Sequence, residues 1–143
     1  MQVIHEWLST QTKMLPQLET DRQSYPLLHH CTERSMLPDV TDQWKLILNQ
    51  VGIHVHSPQT GCCGMAGIYG HQVEHVEDSK TLYAASWQKQ VEHNNQLVLV
   101  TGQSCRSQVK RCSNQMIMHP VEFMVQRIES YFGAKENDCE ATA

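Results

Sequence analysis

The sequence predicts a single α/β domain with a roughly four-stranded, mainly parallel sheet and helices on both faces. Short apolar runs alternate along the chain with longer stretches that have the period of an amphipathic helix. The intervals between these runs are long enough for the crossover connections that parallel strands require. A chain of 143 residues is also long enough for one hydrophobic core. This alternation is typical of Rossmann-like folds, which bind ligands at the carboxyl ends of their strands.

The first part of the chain predicts a helix, a connector and a strand. Residues 2–14 carry apolar side chains at helical spacing, namely Val3, Ile4, Trp7 and Leu8. Residues 15–26 are polar and contain a proline near each end, which indicates a connector. Residues 27–30 form a short strand candidate that runs directly into Cys31.

The next segment predicts a second helix and a second strand. Residues 39–52 begin with cap candidates, Asp39 or Thr41, and end at Gly52. Their apolar face consists of Trp44, Ile47 and Leu48. Residues 53–57 alternate apolar and polar side chains, which is the period of a strand.

The second half continues the alternation. Glycines punctuate residues 61–70, and we expect Gly64 and Gly67 to open a long polar helix over about 71–94. The remaining elements are a buried strand at 97–101, a helix at 104–112, a strand at 116–118, and a helix at 120–132 with proline in its first turn. We expect one domain over residues 1–135 and a disordered tail over 136–143.

Cysteines follow three of the four predicted strands. Cys31 comes after the first strand, Cys62 and Cys63 after the second, and Cys105 after the third. Because the carboxyl ends of parallel strands meet at one edge, we expect these four thiols to converge there. Such a site suits an iron–sulfur cluster or zinc. The alternative is that they are ordinary buried thiols, which is our expectation for Cys112 and Cys139.

Other residues near this edge are candidates for supporting roles. Gly61 and Gly64 allow the backbone to turn sharply and approach a bulky inorganic group. His30, His71 and Arg106 could contact the ligands from outside, although packing at the strand end is the default for His30 and a surface position explains His71 about as well. Basic side chains at Lys110 and Arg111 are expected on a solvated helix face.

Composition excludes several classes of function. A net charge of −4 gives no electrostatic case for nucleic acid. No apolar run approaches the length of a membrane span, and the N-terminus lacks the pattern of a signal peptide, so we expect a cytoplasmic protein. The glycines do not match a nucleotide-binding motif. His71 to His75 match the H-x-x-E-H pattern of zinc peptidases, a short motif in a polar segment, and we disfavour that interpretation.

The sequence around the cysteines resembles that of a known family. The stretches HHCTERSMLP, TGCCGMAGIYGH and TGQSCRSQVKR, followed by HP, are similar to the cysteine-rich CCG domain. That domain occurs in heterodisulfide reductase, in the iron–sulfur component of glycolate oxidase, and in bacterial FAD-linked oxidases of the D-2-hydroxyglutarate dehydrogenase type. The last group resembles residues 5–125 most closely, which implies that this chain is the C-terminal part of a larger flavoprotein.

The resemblance implies a cofactor, partners and a function. The implied cofactor is an iron–sulfur cluster, with zinc as the alternative, held by Cys31, Cys62, Cys63 and Cys105. FAD would bind only to other domains, and the partners would be the flavin and ferredoxin-like domains of the parent chain and an unidentified electron acceptor, which could bring the protein to the inner face of the membrane. The implied function is electron transfer within a 2-hydroxyacid dehydrogenase, and the isolated domain would not turn over substrate. The alternatives are a structural zinc domain or a thiol/disulfide site of the heterodisulfide reductase type.

One position departs from the family pattern. The last element of the family is commonly Cys-x-x-Cys, whereas this chain has Gly102 in place of the first cysteine. Four cysteines remain, which is enough for an ordinary [4Fe–4S] cluster or for zinc. The resemblance to family members with an unusual non-cubane cluster is correspondingly weaker.

Overall fold

The computed structural model describes residues 4–93 and 96–140, except for the side chains of 135–140. Four strands form one sheet in the order β2-β1-β3-β4, and every pair of neighbours is parallel. The predicted α/β class and the predicted parallel sheet are therefore confirmed. Because the strand order reverses between β1 and β3, the carboxyl ends of these two strands flank the crevice where such folds bind ligands.

The elements fall close to their predicted positions. The strands are β1 (Ser24–Leu28), β2 (His54–His56), β3 (Val98–Val100) and β4 (Ile117–Met118). The helices are α1 (Ile4–Thr10), α2 (Cys31–Met36), α3 (Val40–Gln50), α4 (Val76–Ser86), α5 (Gln88–Val91), α6 (Gln103–Cys112) and α7 (Pro120–Glu140). None of the described helices is both long enough and apolar enough to cross a bilayer.

Successive strand residues enter two separate cores, one on each face of the sheet. Leu27 and Leu99 belong to the core that is covered by α1, α3 and α7. Leu28 and Val100 belong to the opposite core, under α4, α5 and α6. This alternation is the two-residue period of a strand. The thiols of Cys63 and Cys105 are part of the second core, so folding on this face fixes the positions of both.

The first helix turns a different face to the core from the one predicted. His5 and Leu8 are buried, whereas Ile4 and Trp7 are about half exposed, and Val3 lies outside the described residues. His5 takes the buried position because its ring packs 5.7 Å from that of Trp44 and its Nδ1 lies 3.4 Å from Glu33. The buried face of α1 therefore contains a histidine in a polar contact, and part of the apolar face predicted from periodicity is exposed.

Strand β1 begins at Ser24, inside the segment predicted as a connector. Residues 24–26 pair with β2, and Leu27 and Leu28 pair with β3. Tyr25 packs edge-on against Phe123, with ring centroids 4.9 Å apart, and its hydroxyl donates to Asp21. These tertiary contacts outweigh the turn preference of Pro26.

The predicted long helix over 71–94 is wrong in its first part. Two 3₁₀ turns, Tyr69–His71 and Val73–His75, precede α4 and α5, and Gln72 between the turns is extended. Gly64 and Gly67 adopt left-handed φ angles of +90° and +70°, which cannot begin an α-helix. No helix therefore starts beside Cys62 and Cys63 among the described residues.

The last helix extends further than expected. Its backbone is helical to Glu140, so residues 136–140, which the sequence places in a disordered tail, continue α7. The segment after Gly133 contains no further glycine or proline to end the helix. Residues 141–143 of the predicted tail lie outside the described residues.

Candidate metal centre

Three strand ends deliver the four cysteines to one rim of the sheet. Cys31 is the first residue of α2, directly after β1. Cys62 and Cys63 lie in the irregular segment that follows β2, and Cys105 lies in the first turn of α6, after β3. The thiols are close enough to influence one another electrostatically, and Cys31 acts on both Cys62 and Cys105.

Cys63 and Cys105 form the buried half of this group. Their Sγ atoms lie 3.3 Å apart and share a hydrogen bond. This bond favours the thiolate of Cys63 and, together with the N–H of Met65, outweighs burial and lowers the pKa of Cys63 to about 7. The same bond and burial raise the pKa of Cys105. At neutral pH Cys63 is therefore partly ionised, and the thiolate is the form that binds metals.

Cys31 and Cys62 form the more exposed half. Both are half-buried, and Cys31 is among the groups that influence the pKa of Cys62. Burial and the neighbouring thiols raise the pKa of Cys62, although the N–H of Gly64 donates to its Sγ at 3.4 Å. The adjacent Cys62 and Cys63 thus connect the exposed half of the group to the contacting pair of Cys63 and Cys105.

Glycine is required at two positions around the thiols. Gly64 has a left-handed φ, and a Cβ there would lie 2.2 Å from the carbonyl oxygen of Ser79. At Gly102, where the family pattern has a cysteine, a Cβ would lie 2.9 Å from both Cys105 Sγ and the ring of His30. Gly61 is held by two contacts, since its N–H donates to Ser86 and its carbonyl accepts from the Trp87 indole.

His30 and Arg106 fasten the rim from outside the thiol group. The Nδ1 atom of His30 accepts from the N–H of Thr32 at 3.2 Å and caps α2, while its own N–H donates to Thr101 Oγ1 at 3.0 Å. The guanidinium of Arg106 donates to the carbonyl oxygens of Val100 and Thr101 at 2.9 and 3.1 Å. The backbone N–H of His30 therefore links the end of β1 to the end of β3, and Arg106 links α6 to the end of β3.

His71 is exposed in a 3₁₀ turn, so the structure gives it no position within the thiol group. His75, the other histidine of the H-x-x-E-H pattern, stacks on Tyr69 with centroids 4.1 Å apart. The two imidazoles are not presented on one α-helical face, which the peptidase interpretation requires. Arg111, expected on a solvated face, instead donates to Gly70, Ser79 and Gln108.

The sequence did not indicate a buried polar network on the other face of the rim. The carboxylate of Glu33 accepts from Thr101 and lies 3.4 Å from His5 Nδ1 and 3.8 Å from His29 Nδ1. Burial opposes ionisation of Glu33, but the neighbouring His29 imidazole and the hydrogen bond from Thr101 prevail and lower its pKa. The available signal was the position of Glu33 three residues after His30, as in a capping box.

A cavity of about 640 Å³ opens beside this network. Its walls include His30, Glu33 and Thr101 from the rim, together with the exposed apolar side chains of Ile4 and Met36. It therefore lies at the crevice between β1 and β3, next to His30.

The donor set fits a soft metal centre. Four thiols, one already favoured as a thiolate, are the ligand chemistry of iron–sulfur clusters and of zinc. Among the described residues, no three histidine, cysteine or acidic side chains are spaced as ligands of one metal ion. The four thiols therefore share a location and a suitable ligand chemistry, but their arrangement is not that of a preformed tetrahedral site.

Known proteins match this region of the chain. A D-2-hydroxyglutarate dehydrogenase from Pantoea ananatis is 38% identical over 88% of the chain, one from Pseudomonas putida 40% over 72%, and one from Escherichia coli 36% over 87%. One component of the anaerobic glycerol-3-phosphate dehydrogenase of Escherichia coli is 25% identical over 59% of the chain. No solved structure matches.

The chain spans only a small part of these relatives, 12%, 10% and 12% of the three D-2-hydroxyglutarate dehydrogenases and 21% of the glycerol-3-phosphate dehydrogenase component. A family model described as a cysteine-rich domain, CCG, matches residues 27–110, which include all four converging cysteines. The chain belongs to the CCG family of cysteine-rich domains.

Proposed function

We propose that this chain is an iron–sulfur electron-transfer domain, with a [4Fe–4S] cluster held by Cys31, Cys62, Cys63 and Cys105. The observation that supports this most directly is the convergence of thiols from three strand ends on one rim. That rim lies inside the segment that matches the cysteine-rich family. An iron–sulfur cluster, when bound, supplies one-electron transfer.

A cluster and a single zinc ion place different demands on the spacing of the thiols. A zinc site needs all four donors at about 2.3 Å from one point. In a [4Fe–4S] cluster each iron takes its own cysteine, so the thiolates stand further apart. The contact between Cys63 and Cys105 would have to open further for a cluster than for zinc, so our preference for a cluster rests on the match to the cysteine-rich family and not on the spacing.

The residues of the chain itself prepare the thiolates. The hydrogen bond with Cys105 favours ionised Cys63, and the N–H of Gly64 points at Cys62. Hydrogen bonds to cysteine sulfur tune the potential of iron–sulfur centres. Arg106 adds a positive charge near Cys105 while it fixes the end of β3.

The proposed setting is a larger FAD-linked 2-hydroxyacid dehydrogenase, in which this domain is a distal redox module. Three of the relatives are D-2-hydroxyglutarate dehydrogenases of much greater length, which leaves room for flavin and ferredoxin-like domains. The substrate would react at FAD in those domains, and this domain would pass electrons to an acceptor in the cytoplasm or at the membrane surface.

A structural zinc site is the second candidate, on the strength of one contact. The Sγ atoms of Cys63 and Cys105 are 3.3 Å apart, which is nearer to the edge of a tetrahedral zinc–sulfur site, about 3.8 Å for bonds of about 2.3 Å, than a cluster would allow. In that case the metal would stabilise the fold and carry no electrons.

The deciding experiment is anaerobic purification of the chain, followed by iron, sulfide and zinc analysis with absorption and electron paramagnetic resonance spectra. The proposal predicts about four irons and four sulfides per chain, with a paramagnetic reduced state. One zinc per chain and no chromophore after reconstitution with iron and sulfide would establish the structural site instead.

Two variants make the test specific. Cys62→Ser removes a proposed ligand that is only half-buried, so the fold should survive and the cluster should be lost. Cys112→Ser changes a thiol that packs against the second core and is the matched control, which should load normally. Equal loading of both variants would contradict the ligand assignment.

A further inference from the structure

The contact between Cys63 and Cys105 connects two elements that are far apart in sequence. Their Sγ atoms are 3.3 Å apart, and the side chains are 3% and 1% exposed. A disulfide needs its sulfurs at about 2.05 Å, so bond formation requires an approach of about 1.3 Å. Rotations about the side-chain bonds can supply such a movement without a change of fold.

The surroundings hold both thiols in place. Cys105 lies in the first turn of α6, and Cys63 precedes Gly64, whose left-handed backbone packs against Ser79. Just before the adjacent Cys62 and Cys63 in the chain, the carbonyl of Gly61 accepts from the Trp87 indole at 3.0 Å. Two groups fixed in contact react as an intramolecular pair, with the large rate advantage that orientation provides.

We propose that Cys63 and Cys105 form a reversible disulfide when the chain without metal meets hydrogen peroxide. The thiolate of Cys63 attacks one peroxide oxygen and becomes a sulfenic acid, and the other oxygen leaves as hydroxide. The thiol of Cys105 then attacks the sulfenic sulfur. The sulfur–sulfur bond forms, the sulfur–oxygen bond breaks, and the oxygen leaves as water with the thiol proton. The pair loses two electrons, and peroxide gains them.

This pair is favoured over the other cysteines by contact and geometry. Cys62 and Cys63 are adjacent, and a bond between them would close a strained ring. Cys31 and Cys62 are half-buried, so solvent and small thiols can intercept an oxidised sulfur there. Peroxide is small enough to enter a packed site, where Cys105 is the thiol closest to an oxidised Cys63.

The consequence for metal loading rests on the proposed function. If Cys63 and Cys105 are two of the four ligands, their disulfide removes half of the donor set. A dithiol would restore both by thiol–disulfide exchange, which releases two thiols from the protein and leaves the reductant as a cyclic disulfide. The oxidation state of the pair would then decide whether metal can bind, and this control is called the lock below.

The test maps disulfides in the full chain after metal is stripped with a chelator under nitrogen. The chain is treated with hydrogen peroxide, blocked with N-ethylmaleimide and digested with trypsin without reduction. We expect tryptic peptide 46–80, with one N-ethylmaleimide on Cys62, to be linked to peptide 90–106, at a mass about 2 Da below the sum of this alkylated peptide and peptide 90–106. The link should persist in Cys62→Ser and in Cys112→Ser, and disappear in Cys105→Ser.

Three results would overturn the disulfide: peptide 46–80 linked to 23–34, which contains Cys31; sulfinic acid on Cys63 without a link; or no oxidation at all. A second measurement separates the lock from the proposed ligands. Zinc uptake by the oxidised chain should fall to none and return after dithiothreitol. A mapped disulfide with undiminished zinc uptake would refute the lock and the ligand assignment, while the disulfide itself would stand.

Discussion

Glu33 is a partly buried carboxylate that stabilises the rim only while it is ionised. It accepts from Thr101 and faces two buried imidazoles, those of His5 and His29. Because these partners lower its pKa in the folded state, the folded protein binds the proton more weakly than the unfolded chain does. The stabilisation is therefore present above the ordinary pKa of a glutamate and is lost as pH falls through the lowered value.

Replacement of Glu33 by glutamine should reveal this dependence. We expect the free energy of unfolding to fall by about 1–2 kcal/mol at neutral pH, because charge-assisted hydrogen bonds become neutral ones. The difference from the unmodified chain should shrink as pH decreases below about 4.3. Urea titrations in a phosphine reductant at several pH values measure it. Glu77→Gln, at an exposed site paired with Lys80, is the control and should show almost no difference at any pH.

Gly64 and Gly67 allow a matched pair of substitutions to alanine. Both have left-handed backbones, but a Cβ at Gly64 would lie 2.2 Å from the Ser79 carbonyl, whereas Gly67 has no atom within 4 Å of that position. Gly67→Ala should therefore cost about 1–2 kcal/mol of stability from backbone strain. Gly64→Ala should cost at least about 2 kcal/mol more, because Ser79 must move. Denaturant midpoints of the two variants check this, and equal losses would contradict it.

The cysteine rim could be predicted from sequence, but its supporting residues could not. Thiols that follow successive parallel strands must share an edge, so Cys31, Cys62 and Cys105 needed no tertiary information. Burial of His5 depends on a contact with Glu33 across the fold, and a single helix pattern contains no such information.

At the level of elements, α6 is joined to the end of β3 by Arg106. Its guanidinium donates to two carbonyl oxygens at the end of β3, those of Val100 and Thr101. These two backbone acceptors lie at the crevice between β1 and β3, and without Arg106 they would need hydrogen bonds from water.

Arg106→Gln should lower the free energy of unfolding by about 1–3 kcal/mol, because two hydrogen bonds from a charged donor are lost. Lys110→Gln, on the exposed side of the same helix, is the control and should change stability by less than about 0.5 kcal/mol. Chemical denaturation gives both values. A similar effect of the two substitutions would show that charge on α6, and not the link to β3, is what stabilises the rim.

The segment between β2 and α4 was predicted least well, for a local reason. Glycines at positions 64 and 67 were interpreted as the start of a helix, but their left-handed angles bend the chain instead. A sequence shows that glycine is present and leaves open which of its conformations is used. The helix starts near thiols belong to α2, which begins at Cys31, and to α6, where Gly102 is the residue before the first turn.

For the whole molecule, we expect binding and electron transfer but no turnover of a substrate. The purified chain should not oxidise D-2-hydroxyglutarate with a dye as electron acceptor, because the domain provides no site for FAD in our proposal. A full-length relative from Escherichia coli, assayed under the same conditions, is the positive control. Steady dye reduction by the chain alone would refute the proposal that the substrate is oxidised in other domains.

The architecture was predictable because the same alternation of strand and helix recurs along the whole chain. Apolar runs such as residues 97–101 can only be buried between neighbouring strands with helices on both faces. The strand order was not contained in that pattern, because it depends on the side of β1 on which each later strand pairs.

The position of β3 beside β1 has a consequence for the timing of biosynthesis. Cys31, Cys62 and Cys63 leave the ribosome first, and Cys105 follows about 4–15 s after Cys31 at ordinary rates of translation. Until β3 docks next to β1, the nascent chain exposes three thiols and no complete set of the proposed ligands. Metal delivered during that interval would encounter an incomplete site, so we expect the proposed cofactor to be inserted only after β3 has paired with β1.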